Sequence, residues 1–155
     1  MILITYTKSA IHNQSTSVKL RLEHDSDEVG FEVYLEGLEI GYDVTVNWKC
    51  HEMQSGGVFY TDSNALEIVK RTADDYTARY NTTTNQRASS NYYPINSAIL
   101  IEDAGEQMVV MNDRSQGGSA YFDNGRIELM MNRRGSTSDD LGHDEPLDER
   151  EMIDD

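Results

Sequence analysis

The sequence predicts an antiparallel β-sandwich. Three observations lead there. Apolar and polar residues alternate with period two over several stretches, glycine-bearing turn signals sit between apolar runs, and only one segment carries helical spacing. Strands that alternate in this way bury one face and wet the other, which is the habit of antiparallel sheets.

Taken in order, Ile2 to Thr7 reads as a first strand. Val18, Leu20 and Leu22 alternate with Lys19, Arg21 and Glu23, and Phe31, Val33 and Leu35 with Glu32, Tyr34 and Glu36. Val44, Val46, Trp48 and Cys50 continue the pattern against Asp43, Thr45, Asn47 and Lys49. Phe59-Tyr60 reads as a short strand. Ser63 to Arg71 is the one predicted helix, with Asp62 or Ser63 as its cap and Ala65, Ile68 and Val69 at i, i+3 and i+4. Tyr76 to Ser90 is polar and reads as a loop.

Ser97 to Glu102 and Met108 to Met111 are apolar runs joined by the turn residues Asp103-Ala104-Gly105, a predicted hairpin. Asn124-Gly125 signals a type I′ turn, because that turn needs positive φ at both central residues. It is predicted to join Ser119–Phe122 to Arg126–Asn132. Gly117-Gly118 just before it reads as a turn or bulge.

Size and charge narrow the function classes. The 155 residues suit one core, and a hydrophobic share of 37% makes that core small or partly open. The formal net charge of -15 argues against a nucleic-acid partner and against an anionic membrane surface. Much of the excess lies in Asp139, Asp140, Asp144, Glu145, Asp148, Glu149, Glu151, Asp154 and Asp155. Residues 1–135 are therefore expected to form the sandwich and residues 136–155 an acidic, loosely ordered tail. Met1 to Ile4 is apolar but too short for a signal peptide or a membrane span, so no targeting segment is expected in this chain.

Residues that could carry chemistry are sparse. His12, His24, His51 and His143 have no partners at zinc-ligand spacing, so no metal site is expected. Cys50, the only cysteine, reads as a small buried residue. The adjacent acids Asp74-Asp75 and Asp139-Asp140 do not by themselves make a glycosidase pair, which is set by distance in space. Asn13-Gln14-Ser15 and Asn81-Thr82-Thr83 are N-glycosylation sequons, making Asn13 and Asn81 candidate acceptors in a lumenal protein.

One longer constellation is more specific. Asn91-Tyr92-Tyr93-Pro94-Ile95-Asn96-Ser97 is followed by Asn112-Asp113-Arg114-Ser115-Gln116-Gly117-Gly118-Ser119, then by Ile127-Glu128-Leu129-Met130 and Arg133-Arg134. With Phe59-Tyr60-Thr61-Asp62-Ser63-Asn64 upstream and Asp139-Asp140 and Glu145-Pro146-Leu147 downstream, it resembles the C-terminal half of lysosomal-type α-mannosidases, glycoside hydrolase family 38. The resemblance covers roughly the last two thirds of the chain.

The resemblance implies part of a larger β super-sandwich in an enzyme of mannose metabolism that removes α-linked mannose from N-glycans. It implies a zinc ion and a nucleophilic Asp in a separate α/β domain, and none of that machinery in this chain. The expected partners are that catalytic domain, or a companion chain carrying it, and mannose-containing glycans. The expected compartment is the lysosome, the vacuole or the secretory pathway. The resemblance also implies that Arg114, Gln116, Gly117, Gly118, Arg133, Arg134, Asp139 and Asp140 wall the sugar site or line a domain interface. The chain departs from the family pattern after the arginine pair. Gly135-Ser136-Thr137-Ser138 stands where leucines are usual, and Leu141-Gly142-His143 where an Arg-Gly step is usual. No catalytic residue is carried over.

Two other readings stay open on sequence. The chain could be a free-standing carbohydrate-binding sandwich, with Trp48, Tyr92, Tyr93, Tyr121 and Phe122 as a sugar platform or simply as core. It could also be an interaction protein that uses its acidic tail.

Overall fold

A computed structural model of the chain describes residues 9–11, 14–37, 39–83, 86–138, 146 and 148. Among the described residues the architecture is nearly all antiparallel β, in two compact units. One comprises Met1–Tyr42 with Arg133–Asp155, the other Asp43–Asn132. The predicted strand Ile2 to Thr7 lies outside the described residues.

The first unit holds a three-stranded sheet in the order β1-β2-β3. Its strands are β1 (Ser9–Ile11), β2 (Gln14–Leu22) and β3 (Val29–Glu36). The β2–β3 register sets Val18 against Val33, Leu20 against Phe31 and Leu22 against Val29, so the alternation collects one apolar face. The opposite face sets Lys19 against Glu32, joined at 3.1 Å, and the Tyr34 hydroxyl donates to the same carboxylate at 2.7 Å.

The second unit is a sandwich of two four-stranded sheets. One has the order β4-β11-β10-β7 and the other β6-β5-β8-β9. The first is built from β4 (Tyr42–Lys49), β7 (Tyr93–Ile95), β10 (Gln116–Ser119) and β11 (Arg126–Arg134). The second is built from β5 (Val58–Ser63), β6 (Glu67–Thr72), β8 (Ala98–Asp103) and β9 (Glu106–Met111). The chain passes from β6 through a short helix α1 (Asp75–Tyr80) and a 3-10 turn (Ser89–Asn91) into the other sheet at β7, then returns at β8. Phe59, Ile99 and Ile101 from one sheet meet Ile95, Ile127 and Leu129 from the other, with Met53 and Ala120, in a single buried core. Trp48, Cys50, Tyr93 and Tyr121 pack against its rim.

Several predicted elements are corrected. Ser63 to Arg71 is not a helix but the turn and second strand of a β5–β6 hairpin. Asn64 and Ala65 take φ of 51° and 57°, and the Leu66 N–H closes the turn on the Ser63 carbonyl at 3.0 Å. The apolar spacing of Ala65, Ile68 and Val69 is too sparse to outweigh pairing along β5, and β-branched Ile68 and Val69 suit a strand. Asp62 accordingly caps no helix. Its carboxylate accepts the Ala65 N–H at 2.8 Å within the turn.

The helix that does form, α1, lies inside the segment expected to be loop. It is six residues long, buries none of them, and carries an Arg79–Asp75 pair at i,i+4. So short an element leaves almost no periodic signal.

The β8–β9 hairpin is where the turn residues placed it. Ala104 and Gly105 both have positive φ, at 48° and 90°, as a type I′ turn demands. At Asn124-Gly125 only Gly125 has positive φ, at 70°, which is the sign pattern of a type II turn, not I′. The strand before it ends at Ser119, leaving Ala120 to Gly125 as a longer loop with no need to match the twist of a tight hairpin. Gly117 and Gly118, expected in a turn or bulge, lie within β10, paired to both β7 and β11.

Candidate functional site

The segment Asn112 to Ser119 is held by its own polar residues. The Asn112 side-chain amide donates to the carbonyls of Ile95, at 2.9 Å, and Arg114. The Ser115 hydroxyl donates to the Asn96 side-chain oxygen at 2.6 Å. Arg114 makes a two-point contact with its neighbour Asp113 at 3.0 and 2.9 Å, and both lie at the surface. Hydrogen bonds from Arg114 hold the Asp113 carboxyl below its usual range. The Gln116 amide reaches the Met130 carbonyl at 3.3 Å.

Gly118 has a packing reason. A Cβ there would stand 2.7 Å from side-chain carbons of both Ile95 and Leu129. Gly117 rests against the Tyr92 ring, with its nearest carbon 3.4 Å from a built Cβ. Gly118 therefore lets β10 pass close under a crowded core.

Arg133 and Arg134 end β11 in the first unit. Arg134 is half-buried, its side chain donates to the Asp148 carbonyl at 3.2 Å, and its own carbonyl accepts the Gly41 N–H at 2.6 Å. Arg133 is exposed. Asp139 and Asp140, the expected carboxylate partners, lie outside the described residues, as does Asn13. Asn81 is exposed just past the end of α1.

A polar cluster in the second unit surrounds three of the candidate aromatics, Tyr92, Tyr121 and Phe122. Tyr92 and Phe122 meet edge to face with ring centroids 6.5 Å apart, and Tyr121 and Phe122 at 4.0 Å. Arg126 lies over the Phe122 ring at 4.9 Å, and Arg87 over the Tyr121 ring at 5.2 Å. Arg126 also donates to Glu128 at 3.0 Å and to Asn47 at 2.7 Å. Glu128 is buried and accepts from the Tyr92 hydroxyl as well. Burial first, and the Glu128 contact second, push the Tyr92 phenol far above its ordinary range. It stays protonated at any physiological pH and serves as a donor.

Next to this cluster, Arg87 grips Asp74 through contacts of 2.6 to 3.1 Å, and the buried Asn91 amide donates to the same carboxylate at 3.0 Å. The Arg87 contacts, then Asn91, hold the Asp74 carboxyl below its usual range. Asp75 pairs instead with Arg79. The neighbouring acids are thus spent on separate structural contacts, as their sequence adjacency allowed. Asp62 is buried, which taken alone would raise its pKa. Four backbone N–H groups, from Ala65, Asn96, Ser97 and Ala98 at 2.8 to 3.2 Å, more than offset this and bring it to about 2.

Sequence reasoning singled out Tyr92, Tyr121 and Phe122 but missed Arg126, Glu128, Arg87 and the role of Asp62. Glu128 between Ile127 and Leu129 looks like any solvent-facing acid of an alternating strand, and only burial on both faces of β11 makes it otherwise. The Asp62-Ser63-Asn64 turn signature was the one clue available for Asp62. The described residues do not fit a zinc ion, since no three His, Cys, Asp or Glu side chains among them converge on a point. What the cluster offers chemically is a wall of rings and guanidinium groups already paired with neighbouring carboxylates.

Residues 3–141 match the model of the glycosyl hydrolases family 38 C-terminal domain. Lysosomal alpha-mannosidase of Mus musculus is 46% identical over 95 residues, which is 61% of this chain and 9% of the relative. The human enzyme of the same name is 43% identical over 95 residues, with the same coverage. A probable alpha-mannosidase of Arabidopsis thaliana is 39% identical over 103 residues, 66% of this chain and 10% of the relative. The matched segment is thus about a tenth of each relative's length. With most of its length matched to that domain, the chain belongs to the glycosyl hydrolase family 38 C-terminal domain family.

Proposed function

We propose that this chain acts as the non-catalytic β-domain of an α-mannosidase. It would support a catalytic domain supplied in the same polypeptide or by a companion chain, in the lysosome or vacuole. The observation that carries this reading is the family match over residues 3–141 to a domain that makes up only a small part of the relatives. The cluster supports it, because Tyr92 and Arg126 are committed to Glu128 and Arg87 to Asp74 and the Tyr121 ring, an arrangement suited to holding shape and not to moving protons. The segment from Asn112 to Ser119 would then form part of the wall or interface facing the catalytic domain. Arg114 at its surface would meet carboxylates there, because guanidinium binds carboxylate with two parallel hydrogen bonds. Zinc and the nucleophile would belong to the catalytic domain.

The test is reconstitution. The purified chain, with zinc added, is expected to show no turnover of a chromogenic α-mannoside. A catalytic segment of a relative, expressed without its own C-terminal β-domain, is expected to gain activity when this chain is added. Zinc-dependent turnover by the chain alone would overturn the proposal, and so would a catalytic segment indifferent to it.

A further inference from the structure

We infer that the open edge of β6 takes up an extended, acidic segment of a partner polypeptide as an added strand. The inference goes beyond the reading above and does not depend on it. Among the described residues β6 pairs only with β5, so one of its edges is free. The register fixes which backbone groups that edge carries. The Ala73 N–H donates to the Gly57 carbonyl at 2.8 Å, which makes Gly57 and Ala73 a hydrogen-bonded pair. Such pairs alternate along an antiparallel ladder. Phe59–Arg71 and Thr61–Val69 are therefore bonded pairs, and Val58–Thr72 and Tyr60–Lys70 are not. The N–H and C=O groups of Lys70 and Thr72 point away from β5, where an incoming strand can bond them.

That edge opens on a cleft of about 350 Å³, lined by the consecutive residues 69–72, by Asp75 and Arg79 of α1, and by Tyr93. Side chains alternate between the two faces of a strand, so four consecutive residues line one cleft only where it follows the strand edge.

Charge identifies the occupant. The chain carries a net charge of -15, yet Lys70, Arg71 and Arg79 share this cleft with a single carboxylate, Asp75. Arg79 is paired with Asp75 at 2.6 Å. The Arg71 Nε donates to the buried Thr61 hydroxyl at 3.1 Å, and its guanidinium lies over the Tyr93 ring at 4.3 Å. Neither partner is a carboxylate, so these contacts hold the side chain in place and leave its charge to the cleft. Lys70 beside it is exposed. A strand bearing Asp or Glu would satisfy the backbone edge and both cations together. A second β6 would instead set Lys70 and Arg71 against their own copies, and like charges oppose that pairing.

The experiment titrates the full chain, labelled with nitrogen-15, with a short peptide of alternating glutamate and valine. It follows amide signals and amide hydrogen exchange. Saturable shifts centred on β6 are expected, with exchange of the Lys70 and Thr72 amides slowed several-fold. A peptide of alternating lysine and valine should leave both unchanged. Thr72→Pro should abolish binding at unchanged net charge, because proline removes an outward N–H and no bond to β5. Lys70→Glu should weaken binding several-fold through charge, and it reads the same contact on an exposed side chain should the proline variant fail to fold. Equal binding by the parent chain and Lys70→Glu would overturn the inference. Inorganic phosphate that reproduced the shifts and the slowed exchange would make this a small-anion site and overturn strand addition. Slow exchange of the two amides that grew with protein concentration, without peptide, would assign the edge to a second copy and overturn it as well. All of these outcomes leave the mannosidase reading to the reconstitution assay.

Discussion

The β2–β3 ribbon and the Asp43–Asn132 sandwich are written in the same alternating code but end in different environments. In the sandwich, Phe59, Ile99 and Ile127 are wholly buried. In the ribbon, Val29 and Phe31, on the face that the alternation marks as apolar, remain 45% and 42% exposed. Alternation therefore specifies which side chains share a face, and a second layer specifies whether that face becomes a core. The sandwich has its second layer because two sheets, built from interleaved segments of chain, close on one another.

The comparison predicts a gradient of mutational cost, read by chemical denaturation with the single tryptophan, Trp48 of the sandwich, as probe. Phe59→Ala should cost about 3 to 5 kcal/mol, since it empties a fully enclosed site. A cost near zero would mean that the two regions do not differ as claimed.

Gly125→Ala comes next, at about 3 kcal/mol, because a Cβ would combine positive-φ strain with a clash against backbone oxygens. The built Cβ lies 2.1 Å from the Cys50 carbonyl oxygen at φ +70°. Gly105→Ala, at φ +90° with nothing within 4 Å, isolates the backbone strain and should cost about 1 kcal/mol. Similar losses at the two glycines would remove the packing argument for Gly125.

The third prediction concerns acid. The folded Asp62 carboxyl lies at about 2 against 3.8 for the unperturbed group. A depressed folded pKa means that its stabilisation is complete above the unfolded value and fades as pH falls from 3.8 towards 2. The amount is about 2 kcal/mol. Asp62→Asn should flatten that acid limb of the stability curve, and an unchanged limb would assign it to other carboxylates.

Tyr92→Phe should cost about 1 to 2 kcal/mol by removing a donor from the buried Glu128. The smallest effect belongs to the ribbon, where Phe31→Ala should change stability by less than about 1 kcal/mol, because the ring is already half in water. A loss there as large as that of Phe59→Ala would show that the ribbon face is covered in solution.

Much of the fold was legible. The alternating stretches became β2, β3 and β4, and the Asp103-Ala104-Gly105 turn became the β8–β9 hairpin. The exceptions share a cause. Ser63 to Arg71 carried a weak helical period, and pairing with β5 overrode it. Gly117-Gly118 looked like a turn because glycine is usual there, whereas here both lie in β10 and Gly118 marks close approach to Ile95 and Leu129. For the candidate site, the aromatic members could be read directly. Their guanidinium and carboxylate partners could not, since Arg126 and Glu128 are ordinary letters in an alternating strand.

By itself the sequence determined the antiparallel class, the turn chemistry that joins its hairpins, and the family motifs around Tyr92 and Gly117. These are local properties, written in period-two spacing and in the few residues that tolerate positive φ. Only the tertiary structure decided that Glu128 is buried, that Asp62 draws in four backbone amides, and that Gly118 must lack a side chain. Each depends on atoms brought together from distant parts of the chain, and burial is a property of what lies opposite, which no residue encodes alone.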